Sequence, residues 1–324
     1  MSFSSDVKEE ILNVKPESDC CILASICACI NTIGSLELSN KGVTFSIKTD
    51  NLNLLNFIKD AINTIYSSKI EKLDIESSSI GKLTMHEFVV PIEVGNRILQ
   101  DCGIISLNAT NNWSLNKSVD HHIIMEDCCK KAYIKMAFTS VGNISIPQSL
   151  DDVDLVQKGR GRGYHFELEF TNGEQAKVLS NLLGEFGFIT RKVERGDKYV
   201  VYMKEAESIA DFVAFVGASK SCLEMQNEII KRDMRNSINR QSNCISANID
   251  KTVQASLIQV RAIETIENTI GIDGLPESLR EVARLRLENK EASLSDIVKL
   301  SENTLTKSGL NYKLKKIIEI ANNL

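Results

Sequence analysis

A strip of polar and basic side chains near the carboxy terminus has the spacing of a surface that meets nucleic acid. Lys307, Asn311 and Lys315 step by four along one side of a helix expected from about Thr306 to Ala321, with Ser308, Tyr312 and Lys316 beside them. Asparagine can pair in bidentate fashion with the edge of adenine, and lysine supplies a point charge for phosphate. Leu310, Leu314, Ile317 and Ala321 step by four, three and four on the opposite side, as a core-facing stripe does. Upstream, Ser293 and Asp296 resemble a capping box that opens a short helix whose apolar side is Ile297, Val298 and Leu300. Short helix, turn at Glu302–Thr304 and longer helix make the pattern of a helix-turn-helix. Its second helix would enter the major groove amino end first, with Lys307 and Ser308 at base edges or phosphates, Asn311 reading a base, and Lys315 and Lys316 on phosphate. Pattern alone leaves a plain helical hairpin with a solvated basic face equally open, because the turn holds no glycine.

A second basic cluster, Lys231, Arg232, Arg235 and Arg240 against the single Asp233, falls in a helix expected over Leu223–Arg240. It suits phosphate contact; a merely solvated face is the alternative. Gly159-Arg160-Gly161-Arg162-Gly163 is only superficially a dinucleotide fingerprint, since a strand rather than a helix follows from Tyr164. A basic loop there would either touch a DNA backbone or simply be exposed. Nine cysteines, an odd number that includes the adjacent pairs Cys20-Cys21 and Cys128-Cys129, do not read as a disulfide framework. Zinc is the sharper reading, because His121 and His122 lie just upstream of Cys128. Against it, no Cys-x-x-Cys occurs, and the cysteines sit in apolar helical stretches where they serve as small hydrophobes. The expectation is therefore no metal and no cofactor.

The elements that must position these residues fit an ordinary globular composition: 324 residues, 43% hydrophobic and 25% charged. A net charge of −5 gives no overall support to nucleic-acid binding. Residues 220–324 carry 16 Lys+Arg against 14 Asp+Glu, so the acidity lies ahead of Lys220 and only local clusters carry an argument. Neither a basic-then-apolar leader nor a run of 18 apolar residues occurs. That predicts a cytoplasmic protein with no membrane partner.

Two stretches ahead of Lys220 read as one unit written twice. In the first, Ile22, Ile26, Cys29, Ile30 and Ile33 fall at helical spacing and the helix stops at Gly34. Strands follow at Ser35–Leu38 and Val43–Lys48, a helix at Asn51–Ser67, strands at Lys69–Glu76 and Met85–Ile92, and a helix at Glu93–Gly103. The second repeats that order: a helix from about His122 to Val141 before Gly142, strands at Asn143–Ile146 and Tyr164–Phe170, and a helix opened by Asn172 and Gln175. Strands at Ile189–Glu194 and Tyr199–Lys204 and a helix at Glu205–Gly217 complete it. Gly34 and Gly142 are thus corresponding stops, and the step from one to the other is the repeat interval. Beyond residue 220 the strands vanish. The polar stretch Gln241–Asn248 reads as a linker, Thr252–Thr269 as a helix, and Pro276 as the first position of another.

Ile229–Thr252, Leu275–Leu287 and Thr306–Leu314 closely resemble the WhiA family of bacterial regulators, as do Lys131–Gly142 and Tyr199–Gly217. The resemblance spans essentially the whole chain and is weakest over residues 60–120; Ile245 departs from it where the family usually carries an acid. It implies an α+β fold. A duplicated LAGLIDADG homing-endonuclease-type domain of αββαββα repeats (1–110 and 118–220) precedes a basic helix and linker (221–249). An all-α helix-turn-helix domain (250–324, motif about 292–320) follows. It also implies a nucleoid-associated regulator of transcription, cell division, chromosome segregation and, in spore formers, sporulation. Double-stranded DNA would be the partner, with transcription or division proteins besides; a scaffold of the division machinery with incidental DNA contact is the alternative. In catalytic proteins of the endonuclease type each seam helix ends in an acid directly before its glycine, and the two carboxylates hold the divalent metals. Here those positions are Ile33 and Val141, although Ala24, Ala28 and Thr32 keep the small residues of the seam. The nearest acids, Glu37 and Asp127, are off the helix ends, so no catalytic residue is expected.

Overall fold

The computed structural model of the protein describes residues 2–40, 42–66, 76–80, 83–107, 113–147, 163–301 and 305–324. The chain divides into two compact units, Met1–Ile230 and Lys231–Leu324.

The first unit opens with α1 (Phe3–Leu12), which the sequence reading does not anticipate. Then come α2 (Asp19–Ile33), β1 (Gly34–Ser39), β2 (Gly42–Thr49), α3 (Leu52–Tyr66), β3 (Glu76–Ile80), β4 (Leu83–Val89) and α4 (Ile92–Asp101). The second repeat is α5 (Asp127–Val141), β7 (Gly142–Ser145), β8 (His165–Phe170), α6 (Gly173–Glu185), β9 (Arg191–Arg195), β10 (Lys198–Met203) and α7 (Ala206–Phe215). Between the repeats lies a short antiparallel hairpin, β5 (Ile105–Leu107) with β6 (Trp113–Leu115). The duplication extends to topology: the sheets run β1-β2-β4-β3 and β7-β8-β10-β9, antiparallel throughout.

Local chemistry sets these elements. β8 alternates Phe166, Leu168 and Phe170 inward with His165, Glu167 and Glu169 half-exposed, the period-2 pattern of a strand with one face on the core. Phe138 of α5 stacks on Phe166 at 5.7 Å, and Phe212 of α7 meets Phe166 edge-on at 4.6 Å, which fixes both helices on that face. β2 breaks the alternation and is buried on both sides, because α4 lies across Thr44: a Cβ on Gly95 would collide with the Thr44 hydroxyl.

Local details of the second repeat differ from expectation. The helix before Gly142 begins at Asp127, not near His122. Residues His121–Ile124 form a separate 3-10 turn capped by Asp120, and Glu126 is extended. In the first repeat, residues 69–75 of the strand expected at Lys69–Glu76 lie outside the described residues, and a strand is present at Glu76–Ile80. Asn172 does cap α6, but its side chain accepts from the backbone of Glu174 rather than pairing with Gln175.

The largest correction concerns the linker. α8 runs from Ser219 to Thr269 as one helix, so Gln241–Asn248 is helical. The stretch holds neither Gly nor Pro, and its Ser and Asn residues cost only about 0.7 kcal/mol each or less in a helix interior. Polarity is a misleading signal where no helix breaker is present. In the second unit α9 (Glu277–Glu288), α10 (Leu294–Leu300) and α11 (Lys307–Asn322) gather around Ile263, Leu279, Val282, Ile297, Leu310, Leu314 and Ile317. Pro276 stands at the cap of α9, one place ahead of its expected position.

Candidate nucleic-acid interface

α11 is positioned by its cap and its stripe. The Thr306 hydroxyl accepts a hydrogen bond from the Gly309 N–H at 3.1 Å, so the helix starts at Lys307. Leu310, Leu314 and Ile317 are buried, and Ala321 packs at the edge of the same core. Rotation of the helix about its axis is thereby set. Lys307, Ser308, Asn311, Tyr312, Lys315 and Lys316 are all exposed, as the spacing requires. The Asn311 side chain makes no hydrogen bond among the described residues, which leaves both ends of its amide available. Lys316 folds its ammonium over the Tyr312 ring, 5.0 Å from the centroid. First-turn N–H groups and Lys307 together make the amino end of α11 the electropositive end.

α10 is built to hold α11. Ser293 caps it, its hydroxyl accepting from the Asp296 N–H at 3.3 Å and donating to the Asp296 carboxylate at 2.6 Å. That contact, first among the causes, holds the Asp296 carboxyl below its ordinary range. The reciprocal half of a capping box is replaced by this hydroxyl–carboxylate bond. Ile297 is buried against α11, and the expected turn Glu302–Thr304 lies outside the described residues. Behind the pair, Arg286 is 1% exposed and donates from Nη1 to the carbonyl of Ala292, pinning the segment that leads into α10. Burial lowers its pKa, and its Nε has no partner among the described residues.

Of the other sequence candidates, Lys231, Arg235 and Arg240 are exposed on α8 and Arg232 is half-buried. The glycine-rich loop 159–163 falls outside the described residues apart from Gly163.

In the first unit α2 and α5 pack side by side through Ala24, Ala28 and Ala137, all fully buried. Asn31 Nδ2 donates to the Tyr133 hydroxyl across this seam at 3.2 Å. Both helices end without a loop. Gly34 (φ −78°, ψ 143°) and Gly142 (φ −82°, ψ 153°) are extended and begin β1 and β7. A Cβ on either glycine would sit 2.5 Å from the carbonyl oxygen of the residue four earlier, Ile30 or Phe138, so each must be glycine. Ile33 and Val141, directly before them, are half-buried. Glu37 is exposed along β1, and Asp127 sits at the far end of α5, bound to Lys130 at 3.0 Å. An apolar side chain cannot ligate a hard cation, so neither helix end offers a carboxylate.

One grouping escapes sequence reasoning. Cys20, Cys21, Cys128 and Cys129 converge at the amino ends of α2 and α5, their sulfurs all within 4.8 Å of one another. His121 and His122, which a zinc reading of the sequence would pair with Cys128, are not in this group. His122 instead bonds the Asp120 carboxylate at 2.9 Å and the Asp101 carbonyl at 2.8 Å.

Three family models match the chain in order. They are described as the WhiA N-terminal LAGLIDADG-like domain over residues 19–105, the WhiA LAGLIDADG-like domain over 130–235 and the WhiA C-terminal HTH domain over 238–321. The chain is 34% identical to the probable cell division protein WhiA of Caldicellulosiruptor saccharolyticus, covering 100% of this chain and 96% of that protein. It is 33% identical to the protein of that name from Bacillus subtilis, covering 100% and 97%. In fold it resembles the crystal structure of full-length DUF199/WhiA from Thermatoga maritima, with a TM-score of 0.57, 22% identity, and coverage of 100% of this chain and 99% of that one.

Proposed function

The chain belongs to the WhiA family, and we propose that it acts as a non-enzymatic regulator that binds double-stranded DNA through α11. The observation that carries this is the division of α11 into two faces. Leu310, Leu314 and Ile317 are spent on the core, and Lys307, Asn311 and Lys315 stand together in solvent. In this reading Asn311 reads a base edge, Lys307 and Ser308 meet the groove at the helix amino end, and Lys315, Lys316 and Tyr312 meet phosphate. Lys231, Arg232, Arg235 and Arg240 add backbone contacts from α8. The finer roles are regulation of transcription, cell division, chromosome segregation and, in spore formers, sporulation, exercised at the nucleoid. Among the described residues no helix is long and apolar enough to cross a membrane.

Lack of catalysis belongs to the same proposal. With Ile33 and Val141 at the helix ends, no carboxylate pair is available to hold the metals that activate water. The purified full chain is expected to leave duplex DNA unnicked in magnesium or manganese; sequence-specific cleavage lost on mutation at the helix ends would refute this part.

The DNA-binding test is the salt dependence of the full chain's affinity for duplex DNA. Each lysine that neutralises a phosphate releases condensed counterion, so the logarithm of affinity falls linearly with that of salt, with a slope of about −0.9 per contact. The double variant Lys315→Ala, Lys316→Ala should reduce that slope by about two units. A folded variant with unaltered affinity and slope would leave the division-scaffold reading in its place.

A further inference from the structure

We propose that Cys20, Cys21, Cys128 and Cys129 form a structural zinc site that ties together the amino ends of the two seam helices. The donor set is the first argument. Four thiols with sulfurs all within 4.8 Å of one another need only a small contraction to surround one ion. A tetrahedral zinc tetrathiolate with Zn–S of about 2.3 Å places its sulfurs about 3.8 Å apart. Cys128 Sγ and Cys129 Sγ already lie 3.9 Å apart.

The second argument is where the duplication puts them. Cys128 follows Cys20, and Cys129 follows Cys21, at the same interval by which Gly142 follows Gly34. Each pair therefore occupies the second and third positions of its helix, after Asp19 and Asp127. One residue of each pair, Cys21 or Cys129, is buried, and the other lies nearer solvent. Each repeat contributes half of a four-coordinate shell. Because four protein ligands fill a tetrahedral ion, the site is structural rather than catalytic.

The third argument is the surroundings, which suit a dianionic cluster. Zinc with four thiolates carries a net charge of −2. Two helix amino ends face it, each equivalent to about half a positive charge. Lys15 and, one and two turns along α5, Lys131 and Lys135 line the same recess as Cys21 and Cys128, with Glu17 the one acid among its lining residues. Ser18 is the most telling neighbour. It occupies the cap position of α2 yet makes no capping bond to the backbone. Its hydroxyl is turned to the sulfurs instead, 3.1 Å from Cys20 and 3.3 Å from Cys21. Glu126, the cap residue of α5, makes no side-chain cap either. Both helix ends keep their N–H groups for whatever lies between them.

A disulfide competes poorly within either pair, since adjacent Cα atoms are about 3.8 Å apart across a trans peptide, below the usual disulfide range. Only a bond between helices would remain. Zinc uptake is a proton exchange, Zn²⁺ displacing up to four protons from four thiols with no change of oxidation state. Uptake should accordingly strengthen as pH rises.

The test uses the full chain purified under reducing conditions. About one zinc per chain by elemental analysis is expected. After its removal, cobalt(II) should give the thiolate charge-transfer and intense visible bands of a tetrahedral sulfur site. The double variant Cys20→Ser, Cys128→Ser, altered at the two outer positions, should keep its circular dichroism and lose both metals. Zinc should raise the melting temperature of the wild type and not of that variant. Ser18→Ala should weaken zinc binding about tenfold, as loss of a supporting hydrogen bond does. The proposal is overturned if the chain, with these thiols shown to be reduced, takes up no zinc and gives no cobalt–thiolate band. It is equally overturned if the protein as isolated carries a disulfide between the two pairs.

Discussion

Glu10 and Ser221 are 211 positions apart in sequence and in direct hydrogen-bond contact. The Glu10 carboxylate accepts from the Ser221 N–H at 2.8 Å, from the Ser221 hydroxyl, and from the Lys220 N–H at 2.9 Å. α1 thus supplies the amino-terminal cap of α8, filling donors that the first turn of a helix leaves open.

Glu10→Ala is expected to cost about 0.5–2 kcal/mol, the range for losing a helix cap. Burial pushes the Glu10 carboxyl up, but the hydrogen bonds from Ser221 and Lys220 more than offset it, leaving the pKa lowered. A lowered pKa means that the contribution is present above the unfolded value of about 4.3 and is lost as pH falls through the folded value. Chemical denaturation at pH 7 and in mild acid should show the gap between wild type and variant closing on acidification. A constant gap would place Glu10's effect outside the cap.

Ala28 is fully buried where α2 meets α5. Ala28→Leu forces several extra carbons into that contact and should cost about 1–3 kcal/mol. An unchanged denaturation midpoint would show that the two helices have room to move apart.

Asn311 and Lys315 are one turn apart on the exposed face of α11 and should fail in different ways. Lys315→Ala should weaken binding to all duplexes alike and reduce the salt slope by about one unit. Asn311→Ala should lose about 1–3 kcal/mol of discrimination at one base pair with little effect on non-specific affinity. Both should melt as the wild type does, because neither touches the Leu310–Ile317 stripe. Two variants with one shared defect would contradict the assignment of separate roles.

His122 joins the 3-10 turn at His121–Ile124 to the end of α4 through Asp101 and Asp120. Burial pushes its pKa down, yet the bonds to the Asp101 carbonyl and the Asp120 carboxylate push harder, and the net shift is upward. The sign follows: stability from this group is complete below the unfolded value of about 6.5 and fades as pH rises through the folded one. Melting temperature should therefore fall slightly from pH 6 to pH 8.5 in the wild type, and His122→Gln should flatten that part of the profile. The effect is small because the side chain is 49% exposed.

Much of the first unit is readable in sequence because its signals are local. A helix stopped by glycine and two alternating strands recur at one interval, so each repeat corroborates the other. The α11 stripe is readable for the same reason, and Leu310, Leu314 and Ile317 are buried as their spacing demands. What escapes has weak or misleading local chemistry. α1 buries only Val7, Ile11 and a serine, and β5 and β6 are three residues each, too short for periodicity to register. Gln241–Asn248 reads as a linker on polarity alone, and only the lack of a helix breaker tells against it. The cysteine cluster is the instructive miss. Proximity in sequence suggests His121 and His122 as partners for Cys128, whereas the repeat interval already matches each cysteine of one pair with its counterpart in the other.

Gly34 and Gly142 also bear on how such a domain changes over generations. What keeps each glycine is a collision with the carbonyl oxygen four residues earlier, joined at Gly142 by the Phe138 ring. The residue in front of it is under no such restraint, and at Ile33 and Val141 the site is half-buried, where an aliphatic side chain is easier to accommodate than an unpaired carboxylate. Selection for folding would therefore preserve the helix ends while giving no protection to acids beside them. An apolar residue at either position is therefore easier to bury than an acid, and the backbone that ends each helix does not depend on which of the two stands there.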